Sequence, residues 1–131
     1  MTIPTASEFI VIDSSGWLEY ITADSKVDLF APYFSDANLI LMPTIVMYEV
    51  RKVLLSRHSK TLAEDFVSQA LRLRIVPIDE NIALSAAAFS VQIQSQLPMA
   101  DALIYECAQK NQAQLITSDS HFLNLPKVTI I

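Results

Sequence analysis

Glycine is almost missing from this sequence, with Gly16 as the single example. A loop that cradles a phosphate needs several glycines, because backbone N–H groups must approach the anion closely. The sequence therefore excludes a dinucleotide-binding loop and a Walker-type nucleotide site. The G-x-S-x-G turn that exposes a serine nucleophile is absent as well.

Cysteine and long apolar segments are also scarce. Cys107 is the only cysteine, which excludes an internal disulfide and fits a reducing compartment. The first residues lack the basic and apolar regions of a secretory signal. The longest apolar stretch, residues 39–50, contains Pro43 and Glu49 and is too short to span a membrane. We therefore expect a cytoplasmic protein without a membrane partner.

The balance of charge is acidic, with a formal net charge of −5 over 131 residues. The length favours one domain, residues 1–131, and the 52% hydrophobic content is enough for a core. Acidity argues against nucleic-acid binding, because phosphate contacts favour basic surfaces. However, six of the nine Lys and Arg residues fall between positions 51 and 74, and cations bound by clustered carboxylates would offset the negative charge. Net charge thus does not decide the question.

Short apolar runs alternate with helical patterns, which is typical of a parallel α/β sheet. The predicted strands are residues 9–12, 39–42, 74–77, 114–117 and 128–131. The predicted helices, one of them capped by Thr44, are residues 15–21, 27–34, 44–57, 60–73, 81–94 and 98–110. Ligands of such sheets bind beyond the carboxyl ends of the strands. We therefore expect functional side chains directly after strands or early in the following helices.

Two acids lie just after predicted strands. Asp13 comes after the run at residues 9–12, and Asp119 comes after the strand at residues 114–117. Both acids are therefore predicted to lie at the carboxyl edge of the sheet. The alternative interpretation of each acid is an N-cap for the helix that follows.

Two further acids lie on or beside apolar helix faces. Glu49 has apolar neighbours three and four residues away, so its carboxylate is predicted to face the core side, where it needs a partner. The alternative for Glu49 is an ion pair with Lys52 or another base. Asp101 lies beside an apolar stripe in the first turn after Pro98, where the helix dipole alone also favours an acid.

Taken together, the four acids predict a metal site. The fold brings them to one end of the sheet, where carboxylates repel one another unless a cation lies between them. Oxygen ligands select hard ions such as Mg²⁺ or Mn²⁺. His58, His121 and Cys107 have no spacing that indicates a zinc site. We therefore expect Mg²⁺, which Mn²⁺ can replace.

The same positions carry a resemblance to a known family over nearly the whole chain. Residues 11–20 resemble the opening of PIN-domain toxins of the VapC type, and three later segments are similar to their further motifs, in the same order: residues 43–50, 100–104 and 117–122. The resemblance implies a PIN-like three-layer α/β/α fold with a parallel five-stranded sheet. It also implies a metal-dependent endoribonuclease, the toxin of a toxin–antitoxin pair.

The resemblance also implies roles for individual residues. The acidic positions of the family match Asp13, Glu49, Asp101 and Asp119. Its supporting hydroxyl matches Thr117, together with Ser14 or Ser15. Asp13 and Asp101, followed by Asp119, are expected to hold the metal, and Glu49 is expected to orient or deprotonate the attacking water or to bind the metal through a water. The implied partners are an RNA substrate, a cognate antitoxin and a second copy of the chain.

The basic residues Arg51, Lys52 and Arg57 follow Glu49 and are candidates for contacts with the RNA backbone. An ordinary solvated helix face is the alternative for each. Trp17 is a candidate for stacking on a base, with core packing as the alternative.

Two other functions fit parts of the pattern. One is a catalytically silent PIN-like module that binds RNA or protein without cutting. The other is a receiver-type phosphoacceptor domain, which requires an acidic pair after the first strand and a lysine at the end of the last. Here Asp13 is followed by serines and Lys127 precedes the final strand, which disfavours a receiver.

Overall fold

The computed structural model describes residues 8–93 and 97–131. Five strands lie in these ranges: β1 (Ile10–Ile12), β2 (Ile40–Pro43), β3 (Arg74–Val76), β4 (Gln114–Thr117) and β5 (Val128–Ile130). They form one sheet in the order β3-β2-β1-β4-β5, and every neighbouring pair is parallel. The predicted α/β class with a parallel five-stranded sheet is therefore confirmed.

Helices connect the strands and cover the sheet. They are α1 (Ser14–Thr22), α2 (Val27–Phe30), α3 (Thr44–Arg57), α4 (Lys60–Ala70), α5 (Glu80–Gln92) and α6 (Met99–Lys110). Short 3-10 helices occur at Ala31–Phe34, Ala37–Leu39 and Ser120–Phe122. Within the described ranges, no helix combines the length and apolar character needed to cross a bilayer. The predicted helix end at residue 94 and the predicted domain start at residues 1–7 lie outside the described residues.

Two predicted helices are shorter than expected. The helix predicted over residues 27–34 divides in two, because Pro32 lies in the 3-10 part and has no N–H to continue the α-helical ladder. The helix predicted over residues 60–73 ends at Ala70. The backbone N–H of Leu73 then donates to the Ala70 carbonyl at 3.1 Å, a bond that turns the chain into β3.

The prediction that Thr44 caps its helix is wrong. Pro43 occupies the N-cap position of α3, and Thr44 is the first helical residue. Its hydroxyl Oγ1 instead accepts a hydrogen bond from the backbone N–H of Ile78 at 3.2 Å. Thr44 therefore ties the chain that leaves β3 to the start of α3, next to β2.

The order of the strands reverses at the centre of the sheet. From β1 the chain moves outward through β2 to β3, and it then returns to place β4 on the other side of β1. Ile12 pairs with Ile116, so the residues that follow β1 and β4 leave the sheet side by side. All residues of β1 and β2 are buried, as is most of β4, which is expected of central strands covered on both faces. The reversal makes the carboxyl ends of β1 and β4 the natural place for a ligand.

The single glycine is required where α1 crosses close to β1 and α2. A Cβ atom placed on Gly16 would lie 2.5 Å from Cγ2 of Ile12 and 2.7 Å from Cε1 of Phe30. The next residue, Trp17, is buried and packs edge-on against Phe34 and Phe66 at centroid distances of 4.7 and 5.4 Å. Trp17 is therefore a core residue: the core-packing alternative is confirmed, and the prediction that it stacks on a base is wrong.

We predict that Gly16→Ala destabilises the fold. Glycine to alanine inside a helix usually raises stability by up to about 1 kcal/mol, because alanine has the higher helix propensity. Here the added methyl group meets Ile12 and Phe30, so we expect the free energy of unfolding to fall by about 1–3 kcal/mol. Urea denaturation measures the change, and Ser68→Ala at an exposed position of α4 is the control. A Gly16→Ala protein as stable as the wild type would contradict the close approach.

Candidate metal centre

Asp13 is buried directly beyond β1, and both of its carboxylate oxygens accept hydrogen bonds. Its Oδ1 accepts hydrogen bonds from Ser15 Oγ at 2.5 Å and from the backbone N–H of Gly16 at 3.2 Å. Its Oδ2 accepts from Thr117 Oγ1 at 2.6 Å. Asp13 is the N-cap of α1, so that interpretation is confirmed. The cap also holds the carboxylate at the carboxyl edge of the sheet.

Thr117, the last residue of β4, connects the two central strands through its side chain. Besides donating to Asp13, its buried hydroxyl accepts the backbone N–H of Asp119 at 2.9 Å. The backbone N–H of Ser118 donates to Ser15 Oγ at 3.1 Å. Two hydroxyl groups, one from each side, therefore set the position of Asp13 relative to the loop that carries Asp119.

Asp101 and Asp119 converge on one imidazole. Asp101 lies in the first turn of α6, and Asp119 follows β4 as the N-cap of the 3-10 helix Ser120–Phe122. Nδ1 of His121 is 3.1 Å from Oδ2 of Asp101 and 3.1 Å from Oδ1 of Asp119. Over residues 8–93 and 97–131, these three are the group whose potential ligand atoms all lie within 4.8 Å of one another.

His121 belongs to this group of three, although the sequence pattern does not predict it as a site residue. Its spacing indicated no zinc site, and its contact with Asp101 joins positions 20 residues apart. Only the docking of α6 beside the end of β4 brings the two side chains together. The available signal was local: Asp119 and His121 are two residues apart at a strand end, where both can face the same ligand.

Glu49 stands apart from this group but is tied to its edge. On α3 its Oε1 accepts a hydrogen bond from Ser14 Oγ at 2.5 Å, and Ser14 is the neighbour of Asp13 in the chain. The alternative of an ion pair with Lys52 is wrong, since Nζ of Lys52 lies over the Tyr48 ring, 5.6 Å from its centroid. Glu49 is half-buried, and its hydrogen-bond partner is the neutral hydroxyl of Ser14.

The electrostatics of the centre disfavour ionised acids. Burial, followed by the nearby charge of Asp119, raises the pKa of Asp101 to about 6, although the hydrogen bond and charge of His121 oppose the shift. Burial also raises the pKa of Asp13, against the hydrogen bonds from Ser15 and Thr117. Carboxylates that repel one another at a protein edge are relieved by a bound cation. Carboxylate oxygens are ligands that suit a hard divalent ion such as Mg²⁺ or Mn²⁺.

The predicted basic residues lie along the exposed side of α3. Lys52 and Arg57 line a groove of about 260 Å³ together with Glu49. Arg51 lines a neighbouring groove of about 540 Å³, and its guanidinium is 3.6 Å from the carboxylate of Glu64 on α4. The three side chains are thus solvent-exposed, and two of them share a groove with a candidate site residue.

Comparison with known proteins gives a consistent result. A family model described as the PIN domain matches residues 10–128. A search of curated protein sequences gave no significant match. Among solved structures, a toxin–antitoxin complex from Klebsiella pneumoniae is similar with a TM-score of 0.75 at 20% identity, over 92% of this chain and 95% of that chain.

Two further solved structures have the same fold. VapC20 from Mycobacterium tuberculosis, described as a toxin that cleaves the sarcin–ricin loop, has a TM-score of 0.70 at 17% identity, over 80% of this chain and 85% of that chain. VapBC2 from Rickettsia felis, bound to a fragment of promoter DNA, has a TM-score of 0.72 at 16% identity, over 94% and 97%.

We predict that the metal-free protein loses stability as the pH rises. The pKa of Asp101 is about 6 in the folded state and about 4 in an unfolded chain. Between these values the folded state binds more protons, so the stability present below about pH 4 is lost as the pH passes 6, by about 1–3 kcal/mol. Thermal unfolding in EDTA from pH 4 to pH 7.5 measures the loss.

Asp101→Asn should flatten this pH dependence, whereas Asp65→Asn, at an exposed position of α4, should leave it as in the wild type. Added Mg²⁺ or Mn²⁺ should restore the stability of the wild type at pH 7.5, because the ion binds the folded state. An Asp101→Asn protein with the wild-type pH dependence would contradict the electrostatic account.

Proposed function

Because the chain belongs to the PIN-domain family, we propose that it is a metal-dependent endoribonuclease and the toxin component of a toxin–antitoxin pair. The observation that supports the proposal most is the convergence of Asp101 and Asp119 beside the buried Asp13, where strand order reverses. We also propose that it acts as a single domain in the cytoplasm.

Asp101 and Asp119 would hold the divalent ion, Mg²⁺ or Mn²⁺. Asp13 would contribute through Oδ2, which accepts one hydrogen bond and so retains a lone pair. A bound ion would lower the pKa of a nearby water and would offset negative charge on the phosphate. Thr117, Ser14 and Ser15 hold the carboxylates in position through their hydroxyl groups.

Glu49 would act on the attacking water. Its carboxylate is oriented by Ser14, and it lines the groove that also contains Lys52 and Arg57. In this groove the two cations would bind the phosphates on either side of the scissile bond, and Glu49 would orient or accept a proton from the water. Arg51 lines the neighbouring groove and forms an ion pair with Glu64, so its contribution to RNA binding would be the smallest of the three.

We propose two protein partners, a cognate antitoxin and a second copy of the chain. Several similar structures are toxin–antitoxin complexes. The exposed apolar side chains that a partner would cover include Tyr48 and Leu55 on α3 and Leu84 and Val91 on α5. Each pair is seven residues apart and lies on one face of its helix, and exposed apolar surface of this kind can mark an interaction site.

A cleavage assay tests the nuclease proposal. Protein freed of partner and metal is incubated with structured RNAs, with and without Mg²⁺ or Mn²⁺. We expect cleavage only with the ion, and a loss of at least about 100-fold in Asp101→Asn and Asp13→Asn, because the transition state loses preorganised electrostatic stabilisation. Asp65→Asn is the matched control and should cleave as the wild type does.

The outcomes separate the proposal from the silent-module alternative. Cleavage that Asp101→Asn retains, with the same dependence on metal, would overturn the site. A folded wild-type protein that binds Mn²⁺ but cleaves none of the RNAs would favour the silent binding module.

A further inference from the structure

His121 has no part in the proposed cleavage, yet its imidazole lies where the two acids converge. Nδ1 is 3.1 Å from one oxygen of Asp101 and 3.1 Å from one oxygen of Asp119. About half of the His121 side chain is exposed, so the imidazole lies at the mouth of the centre rather than in the core. The ring therefore borders both the acids and the solvent from which an ion and a substrate arrive.

The local backbone holds His121 in this place. Its N–H donates to Oδ1 of Asp119 at 2.9 Å, and the next residue, Phe122, is buried in the core. The backbone N–H of Phe122 in turn bonds the Asp119 carbonyl at 3.3 Å. The 3-10 helix is thus anchored on both sides of His121, and its side chain projects towards Asp101 on α6.

The separations match those of neighbouring ligands on one ion. In octahedral coordination with bonds of about 2.1 Å, adjacent ligand atoms are about 3 Å apart. Both nitrogen–oxygen distances in this group are 3.1 Å, and all its potential ligand atoms lie within 4.8 Å of one another. The two nitrogen–oxygen contacts, which in the metal-free protein are at hydrogen-bond distance, therefore leave the three atoms close enough to bind a single ion.

The carboxylates of Asp13 and Glu49 have fewer free lone pairs with which to bind an ion. Asp13 accepts three hydrogen bonds from protein groups, and Glu49 is held by Ser14. Asp101 and Asp119, with the one oxygen that Asp13 can offer, would leave an ion with few protein ligands. Of the described side chains, His121 is the one that completes a group of three.

We propose that His121 is a ligand of the divalent ion, through an imidazole nitrogen, together with Asp101 and Asp119. The proposal rests on the metal dependence of the proposed function. An imidazole nitrogen suits transition metals, whereas Mg²⁺ prefers an all-oxygen set. The centre therefore binds Mn²⁺ in preference to Mg²⁺, and His121 carries most of that preference.

Pulsed electron paramagnetic resonance of bound Mn²⁺ tests this directly. The untagged full chain is loaded with one equivalent of Mn²⁺, and the ¹⁴N coupling of a ligated imidazole is recorded. The chain has two histidines, so His121→Ala and His58→Ala form a matched pair. We expect the coupling in the wild type and in His58→Ala, and its loss in His121→Ala. Circular dichroism shows whether each variant is folded.

Calorimetric titration with Mn²⁺ and with Mg²⁺ supplies the second measurement. His121→Ala should weaken Mn²⁺ binding by about 10–100-fold and Mg²⁺ binding by less. The dissociation constants of the two ions should therefore lie closer together in the variant than in the wild type. Wild-type protein that binds Mn²⁺ without an imidazole coupling would overturn the role of His121 while leaving a carboxylate site and its nuclease activity standing. Wild-type protein that binds no divalent ion would overturn both this proposal and the metal dependence of the proposed function.

Discussion

The hydrogen bond from Thr117 to Asp13 joins the carboxyl ends of the two central strands, and the rest of the site is arranged around it. It spans 2.6 Å between buried groups, at the point where the order of the strands reverses. The same hydroxyl accepts a hydrogen bond from the backbone N–H of Asp119 and so orients the loop that carries Asp119 and His121. Close packing of α1 at Gly16 allows Asp13 to cap that helix while its carboxylate remains at the sheet edge.

Grouping these acids at one edge of the sheet destabilises the metal-free protein and creates a candidate binding site for a cation. Burial raises the pKa of Asp13 and of Asp101, and the nearby charge of Asp119 adds to both shifts. Acids with raised pKa values in the folded state reduce stability near neutral pH. Groups with perturbed pKa values concentrate at functional sites. There a bound ligand of opposite charge offsets the repulsion between them. Membership of the PIN-domain family also leaves the receiver-domain alternative without support.

Much of the fold follows from local sequence pattern. Short apolar runs predict all five strands, and the carboxyl ends of the first and fourth strands point to Asp13 and Asp119. The failures have non-local causes. Thr44 bonds Ile78, which is 34 residues away, and so does not cap its helix. His121 meets Asp101 only because α6 docks beside β4. The partner of Glu49 is Ser14, 35 residues away, which helix periodicity cannot reveal.

The central claim is that Asp101, Asp119 and their surroundings form one divalent-ion site at the end of β1 and β4. Crystals soaked in Mn²⁺ and measured at a wavelength where manganese scatters anomalously test it most directly. The account predicts one strong anomalous peak with oxygens of Asp101 and Asp119 at bonding distance, about 2.0–2.6 Å. Fully occupied Mn²⁺ at another place, with these two carboxylates unbound, would contradict it.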